Sequence, residues 1–188
     1  MIKATRFGFI CVLALTLGFA VACNMYETDK ANKLVDAANT SIKDANAKMD
    51  TGMTGLQKVE AAVGQIEDQE GLDNARTTAK ACIADLEKAR DGYTDAGNKF
   101  AEASKLKLQD KFKEYLDLKG QEMKKRGEMV AALLSEPQTL VKSDSKEEYM
   151  KTSADATTKV QGLKKEVDDL EAKANKIQED NKAIFKQS

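Results

Sequence analysis

The sequence predicts an all-α fold, an elongated antiparallel three-helix bundle of the coiled-coil type, and three observations lead to this prediction. Its 188 residues are 41% hydrophobic and 32% charged but only 5% aromatic, a composition typical of long, solvent-exposed helices. Apolar residues recur in alternating steps of three and four along three segments, as on the buried face of a coiled-coil helix. No segment shows a convincing strand pattern.

The first predicted helix covers residues 30–70. Its apolar seam consists of Val35, Ala38, Ile42, Ala45, Met49, Gly52, Leu56, Val59, Val63 and Ile66. Gly71 then provides a plausible helix stop, and Asp73 or Asn74 a plausible N-cap for the next helix.

The second predicted helix covers residues 73–135. Its seam consists of Leu72, Ala75, Ala79, Cys82, Leu86, Ala89, Tyr93, Ala96, Phe100 and Ala103. After Ala103 the apolar residues shift by about two positions, or roughly 200° around a helix, and they continue as Leu108, Phe112, Leu116, Met123, Val130 and Leu133. Because no turn signal accompanies the shift, we interpret this segment as one continuous helix. Its early part would bury one face, and its late part nearly the opposite face. The alternative is a four-helix bundle, with a break between Ser104 and Gly120.

The third predicted helix covers residues 145–186. Pro137 ends the second helix, because the residue before a proline avoids helical geometry, and residues 137–144 form a loop. Ser145 and Glu148 have the spacing of a capping box. The seam that follows consists of Tyr149, Ser153, Ala156, Val160, Leu163, Val167, Leu170, Ala174, Ile177, Asn181 and Ile184.

The two reversals predict antiparallel neighbours. Folding about Gly71 places Val59 near Cys82 and Leu56 near Leu86. The first and third helices would be roughly 60 Å long, and the continuous second helix roughly 90 Å.

The composition argues against enzymatic chemistry. The sequence has no histidine, which removes the Ser-His-Asp and Cys-His arrangements and the common zinc and haem ligands. We therefore expect no catalytic residues, no cofactor and no metal site. The formal net charge is −1, and nothing in this charge balance suggests nucleic acid as a partner.

Three features of the helical region have a simple structural interpretation beside a functional one. Cys82 could be a nucleophile or a disulfide partner, but its place on a seam favours a buried small hydrophobic residue. The basic run 124–126 could bind anionic lipid or polymer, but Glu122 and Glu128 flank it, which favours an ordinary solvated face. Asn181 could bind a ligand, but a polar seam residue more often sets helix register or lies in a fraying end.

The N-terminal region has the organisation of a signal peptide. Lys3 and Arg6 precede an uncharged run of 16 residues, 7–22, which is shorter than the roughly 18–20 residues of a membrane-spanning helix. Small residues end this run. We therefore expect residues 1–22 to be a signal peptide that takes no part in the fold.

The residues Ala20-Val21-Ala22-Cys23 resemble the lipobox of bacterial lipoproteins, and the resemblance covers residues 1–23 only. It implies that the Cys23 thiol receives a diacylglyceryl group, that cleavage occurs before Cys23 and that the new amino group is acylated. Ala22 is the small residue that this motif requires, whereas Ala20 stands where leucine is usual. Because Ala20 and Ala22 also satisfy the rule for ordinary signal cleavage, secretion with an unmodified Cys23 is the alternative.

The resemblance also implies a location. In many Gram-negative lipoproteins, an aspartate directly after the cysteine favours retention in the inner membrane. Asn24 occupies this position here, so the resemblance implies the outer membrane, with the protein facing the periplasm. The cell surface is the alternative. We expect residues 23–29 to form the lipidated cysteine and a short tether, and residues 30–188 one helical domain.

The expected function is that of a lipid-anchored, non-enzymatic helical rod of the bacterial cell envelope. It would act as a spacer, a scaffold or a protein-interaction surface. Its partners would be membrane lipid, through acylated Cys23, and an envelope protein of unknown identity. The alternative is a periplasmic binding module or chaperone for apolar ligands or unfolded clients.

Overall fold

The structure, a computed structural model, describes residues 25–143 and 145–185, with side chains described from residue 27. The regular elements within these ranges are all helices. They are α1 (Met25–Gly64), α2 (Gln69–Ala103), α3 (Asp110–Lys142), α4 (Lys146–Asp180) and the short α5 (Lys182–Phe185). The all-α prediction is therefore confirmed, but the prediction of three helices is wrong, since four long helices are present.

Each long helix packs against the next one along the chain, and α1 meets α3 at only a few positions. The four helices run up and down in turn, so the bundle has two ends. The Glu67 end contains the α1–α2 connection, residues 65–68, and the α3–α4 connection, of which residues 143 and 145 are described. The Lys105 end contains the start of α1, the α2–α3 connection at residues 104–109, and the end of α4.

The predicted second helix is two helices because the chain reverses where the apolar pattern shifts. The α2 helix ends at Ala103, and the Ser104 amide still donates to the Phe100 carbonyl at 2.9 Å. The next helix starts after Gln109, whose backbone is extended and whose side chain makes no capping hydrogen bond. The shift therefore marks a connection between two helices. This connection, residues 104–109, lies between Ser104 and Gly120, where the four-helix alternative places the break.

Pro137 lies inside α3, which continues to Lys142, so the prediction that proline ends the helix is wrong. The proline is buried, as are Leu134 and Leu140 on either side of it. Arg76 of α2 reaches the far end of α3, where it donates to the Leu140 carbonyl at 3.3 Å and the Ser143 carbonyl at 2.8 Å. Burial and these bonds to terminal carbonyls stabilise a helical end that local sequence disfavours.

The reversal between α1 and α2 lies earlier in the chain than predicted. The α1 helix ends at Gly64, not near residue 70, and Asp68 rather than Asp73 or Asn74 is the N-cap of α2. Gly71 does not stop a helix, because it lies in the first turn of α2, where its amide donates to the Asp68 carboxylate at 2.9 Å.

The earlier reversal shifts the register of α1 on α2 by about one turn. A Cβ added at Gly55 would lie 2.9 Å from Cys82 Cβ, and one at Gly52 would lie 2.5 Å from Leu86 Cδ2. Cys82 and Leu86 therefore pack on glycines, where folding about Gly71 predicted Val59 and Leu56. Larger side chains of α2 fill the space that these glycines leave.

The α2 and α3 helices approach each other closely at Gly97 and Gly120. A Cβ at Gly97 would lie 3.0 Å from the Gly120 carbonyl oxygen, and one at Gly120 would lie 3.1 Å from the Gly97 carbonyl oxygen. Both distances are tighter than ordinary van der Waals contact, so these positions require glycine for the helices to approach this closely.

The start of α4 agrees with the prediction. Ser145 is its N-cap, and its hydroxyl accepts a hydrogen bond from the Glu148 amide at 3.2 Å. The capping box is half formed, because the Glu148 carboxylate accepts from the Ser143 hydroxyl at 2.6 Å instead. The helix ends at Asp180 rather than residue 186, and the Asn181 side chain donates to the Ile177 carbonyl at 2.8 Å.

The start of α1 also differs from the prediction. The helix begins at Met25, so residues 25–29 are helical rather than a tether. The predicted signal peptide, residues 1–22, and Cys23 lie outside the described residues.

Candidate functional site

The predicted lipidation site, Cys23, lies outside the described residues, so the structure leaves its modification as a prediction. None of the helices in residues 25–143 and 145–185 is long and apolar enough to cross a membrane. Over the same residues, no group of three or more cysteine, aspartate or glutamate side chains is placed to hold a metal ion.

A buried polar cluster lies near the Glu67 end, where all four long helices contribute a side chain. We call it the Glu136 cluster. Its members are Glu60 of α1, Cys82 of α2, Glu136 of α3, and Tyr149 and Ser153 of α4. Glu136 is only 8% exposed. Tyr149 and Cys82 are buried as well, whereas Glu60 is exposed at the rim.

Glu136 has the most unusual environment of the cluster. Burial raises the pKa of its carboxyl from 4.5 to about 7, a hydrogen bond with Ser153 lowers the pKa, and the charge of Glu60 raises it. None of these influences comes from a cation. The carboxyl is therefore half protonated near neutral pH, because the ionised form loses hydration without gaining an opposite charge.

Cys82 and Tyr149 share this environment and are held in their neutral forms. Burial first, and then the charges of Asp85 and Glu136, raise the pKa of the Cys82 thiol to about 11. Its Sγ donates to the Gly52 carbonyl at 3.3 Å. Burial and the charges of Glu136 and Glu60 also raise the pKa of Tyr149. The prediction that Cys82 is a buried, small apolar residue is confirmed.

This arrangement can exchange a proton but does not activate a nucleophile. Reactive cysteines need a lowered pKa and an electropositive surrounding, and Cys82 has a raised pKa beside acidic groups. A carboxyl that titrates near neutral pH links protonation to the packing of α3 on α4. The chemistry that the Glu136 cluster supports is therefore pH-dependent stability of the bundle.

A second buried carboxylate, Glu122, lies on the same helix and is only 1% exposed. Lys119 Nζ lies 2.5 Å from its Oε2, and Arg126 Nη2 lies 2.8 Å from its Oε1. Arg126 also reaches Glu171 of α4 at 3.5 Å. We call these four side chains the Glu122 network. It carries two cations and two carboxylates, so its charges balance within the interface of α3 and α4.

The basic run 124–126 is largely neutralised by neighbouring carboxylates. Lys125 pairs with Glu128 at 2.9 Å and with Glu166 of α4 at 3.1 Å, while Arg126 belongs to the Glu122 network. Lys124 is exposed. The prediction of a solvated face holds for Lys124 and Glu128 but is wrong for Glu122, which is buried.

Sequence reasoning missed both buried glutamates. Glu122 has cations three residues before it and four residues after it, and this spacing is equally typical of an exposed helix surface. Glu136 precedes Pro137, so it was expected at the end of a helix rather than within one. No signal in the sequence separates these glutamates from exposed ones.

Comparisons of this chain with protein-family models, curated proteins and solved structures gave no match.

Proposed function

We propose that this protein is a lipid-anchored, non-enzymatic helical bundle of the bacterial cell envelope. In this proposal Cys23 carries the acyl chains, and the elongated, coiled-coil-like bundle acts as a spacer or scaffold for another envelope protein. Asn24 after the anchor directs the protein to the outer membrane.

The observation that carries the proposal is the sequence Ala20-Val21-Ala22-Cys23 directly after a short uncharged run. Two or more acyl chains hold a protein stably on a membrane, because each buried methylene contributes about 0.8 kcal/mol. No further membrane-embedded element is needed for such attachment.

The dimensions of the bundle support the spacer role. The α1 helix has 40 residues and begins at Met25, two residues after the proposed anchor. A helix of this size is about 60 Å long. Surfaces at the two ends of the bundle would therefore meet different parts of the envelope.

The mass of the mature N-terminus tests the anchor. We expect a peptide that begins at Cys23 and carries the mass of a diacylglyceryl group plus an amide-linked acyl chain. Cys23→Ser should leave the membrane fraction, whereas Cys82→Ser, which alters the other cysteine of the mature chain, should remain there. An unmodified Cys23 peptide together with a protein that stays in the aqueous phase would overturn the proposal.

Crosslinking in intact cells tests the scaffold role. A photoreactive residue at exposed positions of α1 or α4 should capture one envelope protein reproducibly. The same residue placed at buried Leu86 or Val160 should capture none. Capture of no protein from any exposed position would contradict a scaffold.

A further inference from the structure

Two connections at opposite ends of the bundle differ in charge. In the α1–α2 connection at the Glu67 end, Glu67 and Asp68 are exposed, and no lysine or arginine occurs in the sequence between Lys58 and Arg76. In the α2–α3 connection at the opposite end, the six residues 104–109 include two exposed lysines, Lys105 and Lys107, and no carboxylate.

The α2–α3 connection holds these lysines in a fixed position. Leu106 and Leu108, which alternate with them, are half-buried and pack against the core. The amides of Lys105 and Leu106 donate to the carbonyls of Glu102 and Ala103, each at 3.2 Å. Because the leucines point inward, the lysine side chains project from the end of the bundle.

The charges that follow this connection are already balanced. At the start of α3, Lys111 pairs with Glu114 at 2.7 Å, and Lys113 lies 3.9 Å from Asp110. Within the part of the chain that the structure describes, neither Lys105 nor Lys107 has an ion-pair partner. Lys105 and Lys107 therefore offer positive charge to a partner at this end, together with the exposed Lys30 at the start of α1.

The proposed anchor joins the bundle at the same end. The α1 helix begins at Met25 and runs antiparallel to α2, so its first turn and the α2–α3 connection share the Lys105 end. Cys23 precedes Met25 by two residues, so an acylated Cys23 brings this end to the membrane surface. Anionic headgroups attract lysines within a Debye length of the bilayer.

We infer that the α2–α3 connection is a lipid-facing surface whose Lys105 and Lys107 bind anionic headgroups beside the acyl anchor. The bundle then stands on the membrane, and the acidic α1–α2 connection lies about 50 Å away along α2. This inference rests on the proposed lipid anchor and adds the orientation of the bundle to it.

Fluorescence transfer to a labelled headgroup tests the orientation. The full-length, acylated protein is reconstituted in vesicles that contain about one-third anionic lipid, with a fluorophore on Gln109→Cys or, as the matched site at the opposite end, on Gln65→Cys. Both glutamines are exposed and lie in connections between helices. We expect strong transfer from position 109 and little from position 65.

Charge removal tests the role of the two lysines. In the anchored protein, the α2–α3 connection either touches the lipid surface or stands away from it. Lys105→Gln with Lys107→Gln should lower the ratio of the touching form to the other form about 25-fold, because each lysine near an anionic surface contributes about fivefold. Lys43→Gln with Lys159→Gln removes the same charge from exposed positions on the long helices and should leave this ratio unchanged. Zwitterionic vesicles should reproduce the effect of the first pair.

The outcomes separate this inference from the proposed anchor. Equal transfer from positions 65 and 109 overturns the inference. So does transfer from position 109 that survives the loss of both lysines and of anionic lipid. In both cases the protein stays bound to the vesicle, so the proposed anchor is unaffected. A photoreactive residue at position 109 that crosslinks to an acidic protein in intact cells, instead of to lipid, overturns the inference too. A protein that does not attach to vesicles and carries an unmodified Cys23 overturns the anchor, and the inference with it.

Discussion

Two buried glutamates of α3, Glu122 and Glu136, occupy opposite electrostatic environments on one helix. Both are nearly inaccessible, at 1% and 8% exposure. Glu122 contacts two cations, Lys119 and Arg126. Glu136 has a serine hydroxyl and a nearby carboxylate, and burial raises the pKa of Glu136 to about 7. Two carboxyls that are both buried therefore have opposite charged surroundings, because their neighbours differ.

Because their surroundings differ, the two glutamates affect the stability of the bundle in different ways. The Glu122 network holds fixed charges between α3 and α4, and loss of either cation leaves the buried Glu122 carboxylate with less compensation. The Glu136 cluster holds a carboxyl that can shed its charge by binding a proton. The first environment makes stability sensitive to mutation, and the second makes it sensitive to pH.

The largest expected effect comes from breaking the Glu122 network. Glu122→Gln should lower the free energy of unfolding by about 3–5 kcal/mol, because it leaves Lys119 and Arg126 without their shared carboxylate. Urea unfolding at pH 7 measures the loss. Glu128→Gln, which removes an exposed carboxylate of the same helix, should cost about 0.5 kcal/mol or less. Equal costs for the two variants would mean that the Glu122 network contributes no more than a surface pair.

The second-largest expected effect on the free energy of unfolding comes from removing the Glu136 carboxyl. The pKa of Glu136 is about 7 in the folded protein against 4.5 ordinarily, so the folded state holds the proton more tightly. Its contribution to stability is fully present below about pH 4.5 and is lost as pH rises to about 7. The shift corresponds to a loss of about 3 kcal/mol.

Glu136→Gln should abolish this loss. The variant should match the wild type near pH 4.5 and exceed its free energy of unfolding by about 3 kcal/mol at pH 8. Chemical unfolding at closely spaced pH values gives the comparison, with Glu128→Gln as the control. A difference between variant and wild type that does not change with pH would show that Glu136 does not titrate in this range.

Apolar periodicity predicted the buried faces well, because it depends directly on which face of a helix is covered. All ten seam positions predicted from Leu72 to Ala103 are buried in α2. The same pattern could not place the chain reversals. The shift after Ala103 fits both a change of face and a turn, and only the packing of α3 against α2 decides between them.

Charged residues were harder to predict, for a related reason. The spacing of Lys119, Glu122 and Arg126 satisfies local helix pairing whether or not another helix covers it. Coverage comes from α4, which supplies Glu171 more than 40 residues later. The end of α3 beyond Pro137 similarly receives hydrogen bonds from Arg76, a residue of another helix. These features follow from tertiary packing, which local sequence rules do not contain.

A smaller effect should follow when Glu136 receives a cation of its own. Ser153 lies on α4 and makes the hydrogen bond that lowers the Glu136 pKa. Ser153→Lys should lower the pKa by a further unit or so and raise stability above pH 7 by about 1.4 kcal/mol. Carboxyl carbon chemical shifts followed against pH measure the pKa. Ser153→Gln, a neutral control, should not lower it, and equal pKa values in both variants would contradict an electrostatic origin.

The smallest effect concerns Glu60, whose exposed carboxylate raises the Glu136 pKa across the interface with α1. Glu60→Gln should lower that pKa by a few tenths of a unit, because water and salt screen an exposed charge. The shift should vanish in about 1 M salt, where the Debye length is about 3 Å. Glu67→Gln removes an exposed charge beyond α1 and should leave the pKa unchanged. If Glu67→Gln and Glu60→Gln act equally, the Glu136 carboxyl responds to net charge rather than to a specific neighbour.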